Sequence, residues 1–587
     1  MGSPHAKLVD NPYIKDALEL FPHQYDGVLE VCKAPRLVLG DATGLGKTIE
    51  ALTAFAYYKM LSPDTKVFLL VVCPGLAILQ WMKETEKYFT FSCGKITSDS
   101  FSTSKKRKEA YSERIKSNDI VFMPYSLLRI VDTKKSKGDW SYLESALMHK
   151  RSEGYNIMVV FDEADAFKSH MTKTYRTAKK LSASADKVLS MTATVIRNAL
   201  VDARNLFNVT DERYFPSVMK FRDDFLIQKK ITSRTKKDKR GRPLVYYETL
   251  GEKNLDVFRE FIKDIYFYRE KSVSEKDLPS LCFTDYSLSM SSEVANVYNY
   301  IMGVKRFPPT LKYLFAITLS CMPIHTHADL LSFVDNHPGF DVEDIDDVED
   351  MEDKDIGESD GTKDKKSDPV IGRFLVPFEY PSFITTKVYE GMRPESNFVP
   401  AKAAFLLKML QNSTTKVVVF AGFRFIVDYL HYFLSQHGYT FGKDFFRITG
   451  RDIYTDGEMT DREYGRIQFQ ESDSARVILI NTAGEAALNM QAGATMFLYT
   501  VPTVAGQYTQ LEGRVHRLGS KHSEVNIVCP MVVGSSDIPT VDVARYGVLQ
   551  RGLEMVKNAT GLGTGVGTSE AKAMADVLQQ MGLVSDV

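Results

Sequence analysis

Two short runs carry the residue types that handle phosphate chemistry. The first is DATGLGKT, Asp41 to Thr48, which follows an apolar run at Arg36 to Leu39 and precedes a helix-patterned stretch. Backbone N–H groups at the start of a helix can cradle phosphate oxygens while a lysine neutralises their charge. On that reading Gly44 and Gly46 let the backbone approach closely, with Asp41 and Leu45 completing the loop. Lys47 reaches the β/γ-phosphates and Thr48 holds Mg²⁺. A plain glycine-rich turn with a solvated lysine would share the composition but has no need of the strand before it and the helix after it. The second run is DEAD, Asp162 to Asp165, at the end of the apolar run Ile157 to Phe161. There Asp162 can bind Mg²⁺ through water and Glu163 can polarise an attacking water. Both runs suit loops at the C-terminal edge of one parallel sheet, where such folds bind ligands.

The elements that must position them are legible as alternation. From Arg36 to about Ile196 the strand-length runs RLVLG, VFLLVVCP, DIVFMPY, IMVVFDE and KVLSMTAT alternate with longer helix-patterned stretches. A second series, KVVVFAG, RVILINTAG, TMFLYT and EVNIVCP, repeats this from Lys416 to Pro530. The pattern predicts an α/β protein with two parallel-sheet lobes in tandem, carrying helical insertions. The expected boundaries are 1–275 for the first lobe, with a helical insertion over about 202–270. An inter-lobe linker with helical insertion follows over 276–400, then the second lobe over 401–545 and a C-terminal tail over 546–587. Between Asp202 and Lys402 the reading is of helices interrupted by a basic loop, Lys229 to Arg242, and by an acidic run. The tail combines a Gly/Thr linker, Thr560 to Thr568, with a short amphipathic helix.

At 587 residues the chain exceeds the usual size of one hydrophobic core, which agrees with two lobes. Its net charge of −1 averages two opposites. Asp341 to Asp368 carries 14 acids against 4 lysines, so the remainder is net positive by about nine, a mildly basic body. That acidic segment is expected to be disordered, a spacer or a dock for a protein partner, a role the C-terminal helix could share. Six scattered cysteines form no C-x-x-C pair, and no apolar stretch is long enough for a membrane span or a signal peptide. These features predict a cytoplasmic protein, associated with a nucleoid or, in a phage, acting in the host cytoplasm. A monomer is favoured.

The order of motifs resembles helicase superfamily two, and its SWI/SNF-type branch in particular, in a minimal bacterial or phage form. LFPHQYDGV is similar to the opening motif, with Gln24 in the place of the adenine-reading glutamine. CPGLAILQWMKETEKYF, with Trp81 and Glu84, resembles the first DNA-contacting block, and MPYSLLR the next. SMTATVIRN is similar to the threonine-rich motif, in which Thr192 and Thr194 would couple nucleotide to track. YREKSVSEKDLPS resembles the inter-lobe passage, with Arg269 followed by Leu278-Pro279. In the second lobe, NTAGEAALNMQAGA resembles the glycine-rich motif, with Ala486 and Ala487 where glycine is usual at one position. GQYTQLEGRVHRLGS reproduces Q-x-x-G-R-x-x-R through Gln510, Gly513, Arg514 and Arg517. Asp165 and Ser520 depart from the branch, which more often has histidine and glutamine there.

The resemblance implies two RecA-like lobes, ATP and Mg²⁺ as cofactors, and a DNA track, duplex or branched. Nucleic acid contacts fall by motif position on Trp81, Tyr125, Thr192, Thr194, Thr449 and Thr482. Arginines three apart on one helix face could both pair with phosphate oxygens, stabilising the transition state as fingers. The activity expected is ATP-driven translocation along duplex DNA, remodelling protein–DNA complexes or branched DNA. A strand-separating or branch-migrating helicase is the alternative enzyme. A binding scaffold with a decayed ATPase is the alternative of another class, opposed by the joint presence of Lys47, Thr48, Asp162, Glu163, Arg514 and Arg517.

Overall fold

A computed structural model describes residues 10–322, 399–558 and 576–581, apart from short breaks. Chain contacts divide into two compact units, with the boundary at Leu278/Pro279.

The first unit is built on seven parallel strands. They are β1 (Arg36–Leu39), β2 (Lys66–Cys73), β3 (Cys93–Lys95), β4 (Ile120–Pro124), β5 (Tyr155–Asp162), β6 (Lys187–Met191) and, after a hairpin, β9 (Tyr266–Phe267). Their order across the sheet is β3-β4-β2-β5-β6-β1-β9. β2, β4 and β6 are buried almost end to end, as strands covered by helices on both faces must be, and this explains the unbroken Val/Leu/Ile/Phe runs. Register sets the site. Leu39 pairs with Met191, and Met191 with Asp162, so the loops after β1, β6 and β5 leave the sheet side by side. At roughly 4.8 Å per strand, the outer two loops start about 10 Å apart.

The hairpin joins β7 (Leu226–Lys237) to β8 (Pro243–Glu252) in antiparallel register. It corrects the expectation of a basic loop at Lys229 to Arg242, most of which is strand. Helices Leu200–Thr210, Val218–Phe225 and Leu255–Ile262 surround it in sequence, so the insertion is mixed and not purely helical.

The second unit contains the parallel strands β10 (Ser280–Ser289), β11 (Val417–Phe420), β12 (Phe445–Ile448), β15 (Val477–Ile480), β16 (Thr495–Leu498) and β17 (Glu524–Val533). The short strands β13 (Tyr454–Thr455) and β14 (Met459–Thr460) pair separately. The sheet order is β10-β17-β16-β11-β15-β12. β10 pairs with β17 from Ser280–Glu524 to Ser289–Val533, which corrects the assignment of 276–400 to linker and helices. Its N-terminal end is an edge strand of this sheet. Helices Ser292–Gly303 and Pro309–Cys321 contribute Tyr298, Tyr313 and Phe315 to the same core. Helix Val541–Asn558 runs through the expected start of the tail at 546, and its Val541, Ala544 and Val548 are core residues. Val577 and Met581 join them. The acidic segment Asp341 to Asp368 and the Gly/Thr linker lie outside the described residues. No described helix is long and apolar enough to cross a membrane.

A buried ion pair fastens this unit. Lys402 Nζ, fully buried, donates to Asp542 Oδ1 at 2.7 Å and to the Tyr499 carbonyl at 3.0 Å. Asp542 Oδ2 accepts from the Val532 N–H at 2.9 Å. Removing one partner strands the other charge, so Asp542→Ala is expected to cost about 3–5 kcal/mol, measured by chemical denaturation. A loss below about 1 kcal/mol would show that water reaches Lys402.

Candidate active site

The loop after β1 takes its shape from two glycines in the left-handed region, Gly44 at φ 89° and Gly46 at φ 88°. A Cβ on Gly46 would collide with the Gln24 amide in addition to straining the backbone. The helix Lys47–Met60 then begins with Gly46 as its N-cap, which puts Lys47 and Thr48 in the first turn. Lys47 Nζ donates to the Asp41 carbonyl at 2.6 Å and more loosely to the Ala42 carbonyl at 3.3 Å. Burial pulls its pKa below the ordinary lysine value, against the opposing pull of Glu163, Asp41 and Asp162. A partly desolvated ammonium that donates to neutral carbonyls gains strongly from an anion.

Gln24 is buried behind this loop. Its Oε1 accepts from the Phe21 N–H at 3.0 Å and its Nε2 donates to the Leu45 carbonyl at 3.1 Å, where the His23 ring also bonds at 3.0 Å. One end of the amide thus braces the loop, while the other caps the start of its own helix, Pro22–Lys33. Burial lowers the His23 pKa, which favours its neutral ring.

At the end of β5, two strands across from β1, Asp162 is gripped from three sides. The Trp81 indole N–H donates to Oδ2 at 2.8 Å, the Glu163 N–H to Oδ1 at 3.0 Å, and the Tyr125 hydroxyl to the Asp162 carbonyl at 2.8 Å. Each carboxylate oxygen has a further lone pair to offer. Burial, and next the Glu163 charge, push the Asp162 pKa up to about 6. Glu163 has φ 50°, a left-handed conformation rare for a side chain of its size and of the kind that clusters at functional sites. Two adjacent carboxylates opposite one lysine form a site that a divalent cation would relieve.

Several residues expected to face nucleic acid are interior. Trp81 is 1% exposed on the buried face of helix Ile78–Tyr88, packed near Phe122 with ring centroids 6.0 Å apart. Tyr125 is partly buried and directed to Asp162. Thr192 is fully buried, and its N–H bonds to the Leu39 carbonyl at 3.1 Å, tying β6 to β1 at the site. Thr449 is buried just after β12. Thr194 and Thr482 lie outside the described residues. Trp81 and Tyr125 thus bond to Asp162, and Thr192 bonds to the end of β1.

In the second unit, Gln510 and Arg514 are buried on helix Ala505–Val515. The helix ends before Arg517, which is half-buried, so the two arginines do not share a helix face. The break has local causes. The His516 N–H closes the last turn on the Glu512 carbonyl at 2.9 Å, and the His516 ring turns to the Pro279 carbonyl at 2.9 Å. Gly519 at φ 76° then redirects the chain.

Residue types alone gave no role to Glu50 or His23. Glu50 is fully buried in the first unit, with Arg269 beside it. An acid three residues after Lys47, on a helix whose other buried residues are uncharged, was the available signal.

Comparison with known proteins gives two domain matches, the SNF2-related domain over residues 23–326 and the helicase conserved C-terminal domain over 401–519. Protein CHROMATIN REMODELING 19 of Arabidopsis thaliana is 21% identical over 582 residues, covering 93% of this chain and 69% of that protein. The ATP-dependent helicase FUN30 of Saccharomyces cerevisiae is 21% identical over 580 residues, covering 94% of this chain but 46% of its own. The Sulfolobus solfataricus SWI2/SNF2 ATPase core, solved in complex with dsDNA, aligns over 95% of this chain and 96% of that one. The identity is 15% and the TM-score 0.36.

Proposed function

Because this chain belongs to the SNF2-related family and is one of its nucleic-acid-dependent ATPases, we propose that it translocates along duplex DNA and thereby remodels protein–DNA complexes or branched DNA. The observation that supports ATP as the fuel is the register-fixed neighbourhood of Lys47 and the Asp162-Glu163 pair, after strands β1 and β5, which β6 alone separates in one parallel sheet. DNA as the track rests on the family and on relatives whose names describe chromatin remodelling and DNA helicase activity.

In this reading Lys47 exchanges its two carbonyl partners for the β/γ-phosphates. Gly44 to Thr48 place backbone N–H groups around the phosphates at the helix start. Mg²⁺ draws much of its coordination from phosphates and water, so Thr48 and Asp162 are a sufficient protein share, and their oxygen donors fit it. When bound, it neutralises charge that develops on the phosphate oxygens. Glu163 takes a proton from the attacking water. Gln24 brackets the nucleotide from behind the loop, while Gln510, Arg514 and Arg517 serve it from the second unit. Thr194 and Thr482 remain the proposed nucleic acid contacts, whereas Thr449 is buried.

Trp81 acts here by fixing the Asp162 carboxylate. Trp81→Phe preserves most of the packing and removes the indole N–H, so it is expected to weaken Mg²⁺-dependent turnover by about 10–100-fold, read as a shifted Mg²⁺ titration. An unshifted titration would reduce Trp81 to packing.

The deciding experiment is ATP hydrolysis by the chain alone and with saturating duplex DNA, single-stranded DNA, forked DNA or RNA. Strongest stimulation by duplex DNA supports the translocase. A preference for single strands or forks would replace it with a strand-separating helicase, and no hydrolysis under any condition would point to a binding scaffold.

A further inference from the structure

Arg269 lies only nine residues before the end of the first unit at Leu278, yet its guanidinium is buried against the nucleotide loop. Its Nε donates to both Asp41 oxygens at 3.1 Å, and its Nη2 also meets Asp41. The same Nη2 donates to Glu50 Oε1 at 2.9 Å and Oε2 at 2.8 Å, while Nη1 donates to the His23 carbonyl. One planar cation thus holds the residue that enters the phosphate loop and a residue in the first turn of the helix that leaves it. The backbones are tied as well. The Gly40 N–H donates to the Phe267 carbonyl at 2.8 Å and the Ala42 N–H to the Arg269 carbonyl at 3.0 Å. Gly27 leaves the room, since a Cβ there would collide with both Glu50 and Arg269. Asp41 and Glu50 are fully buried, and burial together with the Asp41 charge raises the Glu50 pKa to about 8. The cluster is therefore costly to assemble unless its geometry is complete.

We propose that Arg269 is a positioning residue that ties the phosphate loop to the chain segment leading into the second unit, so that occupancy of the loop is transmitted along that segment. The inference rests on the ATPase reading above. Lys47 donates to the Asp41 carbonyl at 2.6 Å, and an incoming phosphate competes for that ammonium. Release of the carbonyl frees the Asp41 backbone to shift. The Asp41 carboxylate, gripped by Arg269, and the paired backbones of 40–42 and 267–269 carry the shift into the segment that ends at Leu278. A lysine at 269 would keep the charge, but a point charge cannot span Asp41, Glu50 and the His23 carbonyl together.

The test uses the full chain, wild type, Arg269→Lys, and Arg269→Gln combined with Glu50→Gln in case loss of charge balance impairs folding. Amide exchange of residues 266–274 is followed with and without adenosine 5′-(β,γ-imido)triphosphate, alongside ATP turnover with and without duplex DNA. In wild type the analogue should slow exchange over 266–274. In both variants that response should fall by about fivefold or more, and the loss in turnover should lie in DNA-stimulated kcat more than in KM for ATP. A wild-type-sized response in either folded variant, or no response in wild type, would overturn the tie. A wild-type protein that shows the exchange response but does not hydrolyse ATP would leave the tie standing and remove the ATPase reading.

Discussion

Glu163→Gln should bind ATP nearly as wild type does and lose turnover by about 10²–10⁴-fold, the usual contribution of a positioned general base. The residue follows Asp162 at the end of β5, and its φ of 50° sets its backbone in a conformation that glutamine can adopt as well as glutamate. The Ala166 N–H bonds to the Glu163 carbonyl at 3.2 Å, which holds that turn through backbone alone, so the substitution leaves it intact. What changes is chemical. Glutamine matches the size and keeps hydrogen-bonding capacity but cannot accept a proton. It also removes the charge that most strongly supports the protonated form of Lys47 and one that raises the Asp162 pKa. These electrostatic changes oppose each other, because a less favoured ammonium weakens phosphate binding while a more acidic Asp162 favours a cation. Hence near-normal affinity is expected. Equilibrium nucleotide binding and single-turnover hydrolysis separate the two quantities, and wild-type turnover would take Glu163 out of the mechanism.

How much of this was legible in the sequence depended on how strongly one physical requirement constrained each segment. Parallel strands buried on both faces must be apolar throughout, so β2, β4, β5, β11, β15 and β16 announced themselves as Val/Ile/Leu/Phe runs. β10 escaped because it is an edge strand. Most of its positions are exposed, and SLCFTDYSLS has no apolar run to betray a ladder ten residues long. The hairpin Leu226 to Glu252 escaped for a related reason, since the lysines and arginines of KKITSRTKK outweigh the β-branched Ile231, Thr232 and Thr235 in a reading by charge. At the site, the phosphate loop was legible because glycine spacing, lysine and threonine are all required together. The role of Trp81 was not. Motif order located it, but only three-dimensional packing shows that its indole N–H is spent on an aspartate 81 positions away. Arg269 was likewise visible as part of a motif, while its partners Asp41 and Glu50 lie 228 and 219 residues distant.

Arg517→Ala should bind ATP almost normally and hydrolyse it about 10³-fold or more slowly, the scale at which an arginine finger acts on phosphoryl transfer. The structure makes this a sharper experiment than the motif does, because it separates the two arginines. Arg514 is 5% exposed, inside helix Ala505–Val515, and its carbonyl accepts from the Met490 N–H at 3.2 Å. Truncating it removes a guanidinium packed within the second unit, so Arg514→Ala is expected to lower stability along with turnover. Arg517 sits past the helix end, in a turn whose shape is set by the His516 ring on Pro279 and by Gly519 at φ 76°. Its side chain can be removed without touching those supports. A catalytic role therefore predicts that Arg517→Ala retains the wild-type denaturation midpoint and loses hydrolysis, and that Arg517→Lys, which keeps charge but not the forked guanidinium, recovers little of it. Full stimulated hydrolysis in Arg517→Ala would leave the second unit without a finger at this position. Loss of stability equal to that of Arg514→Ala would make Arg517 a structural residue.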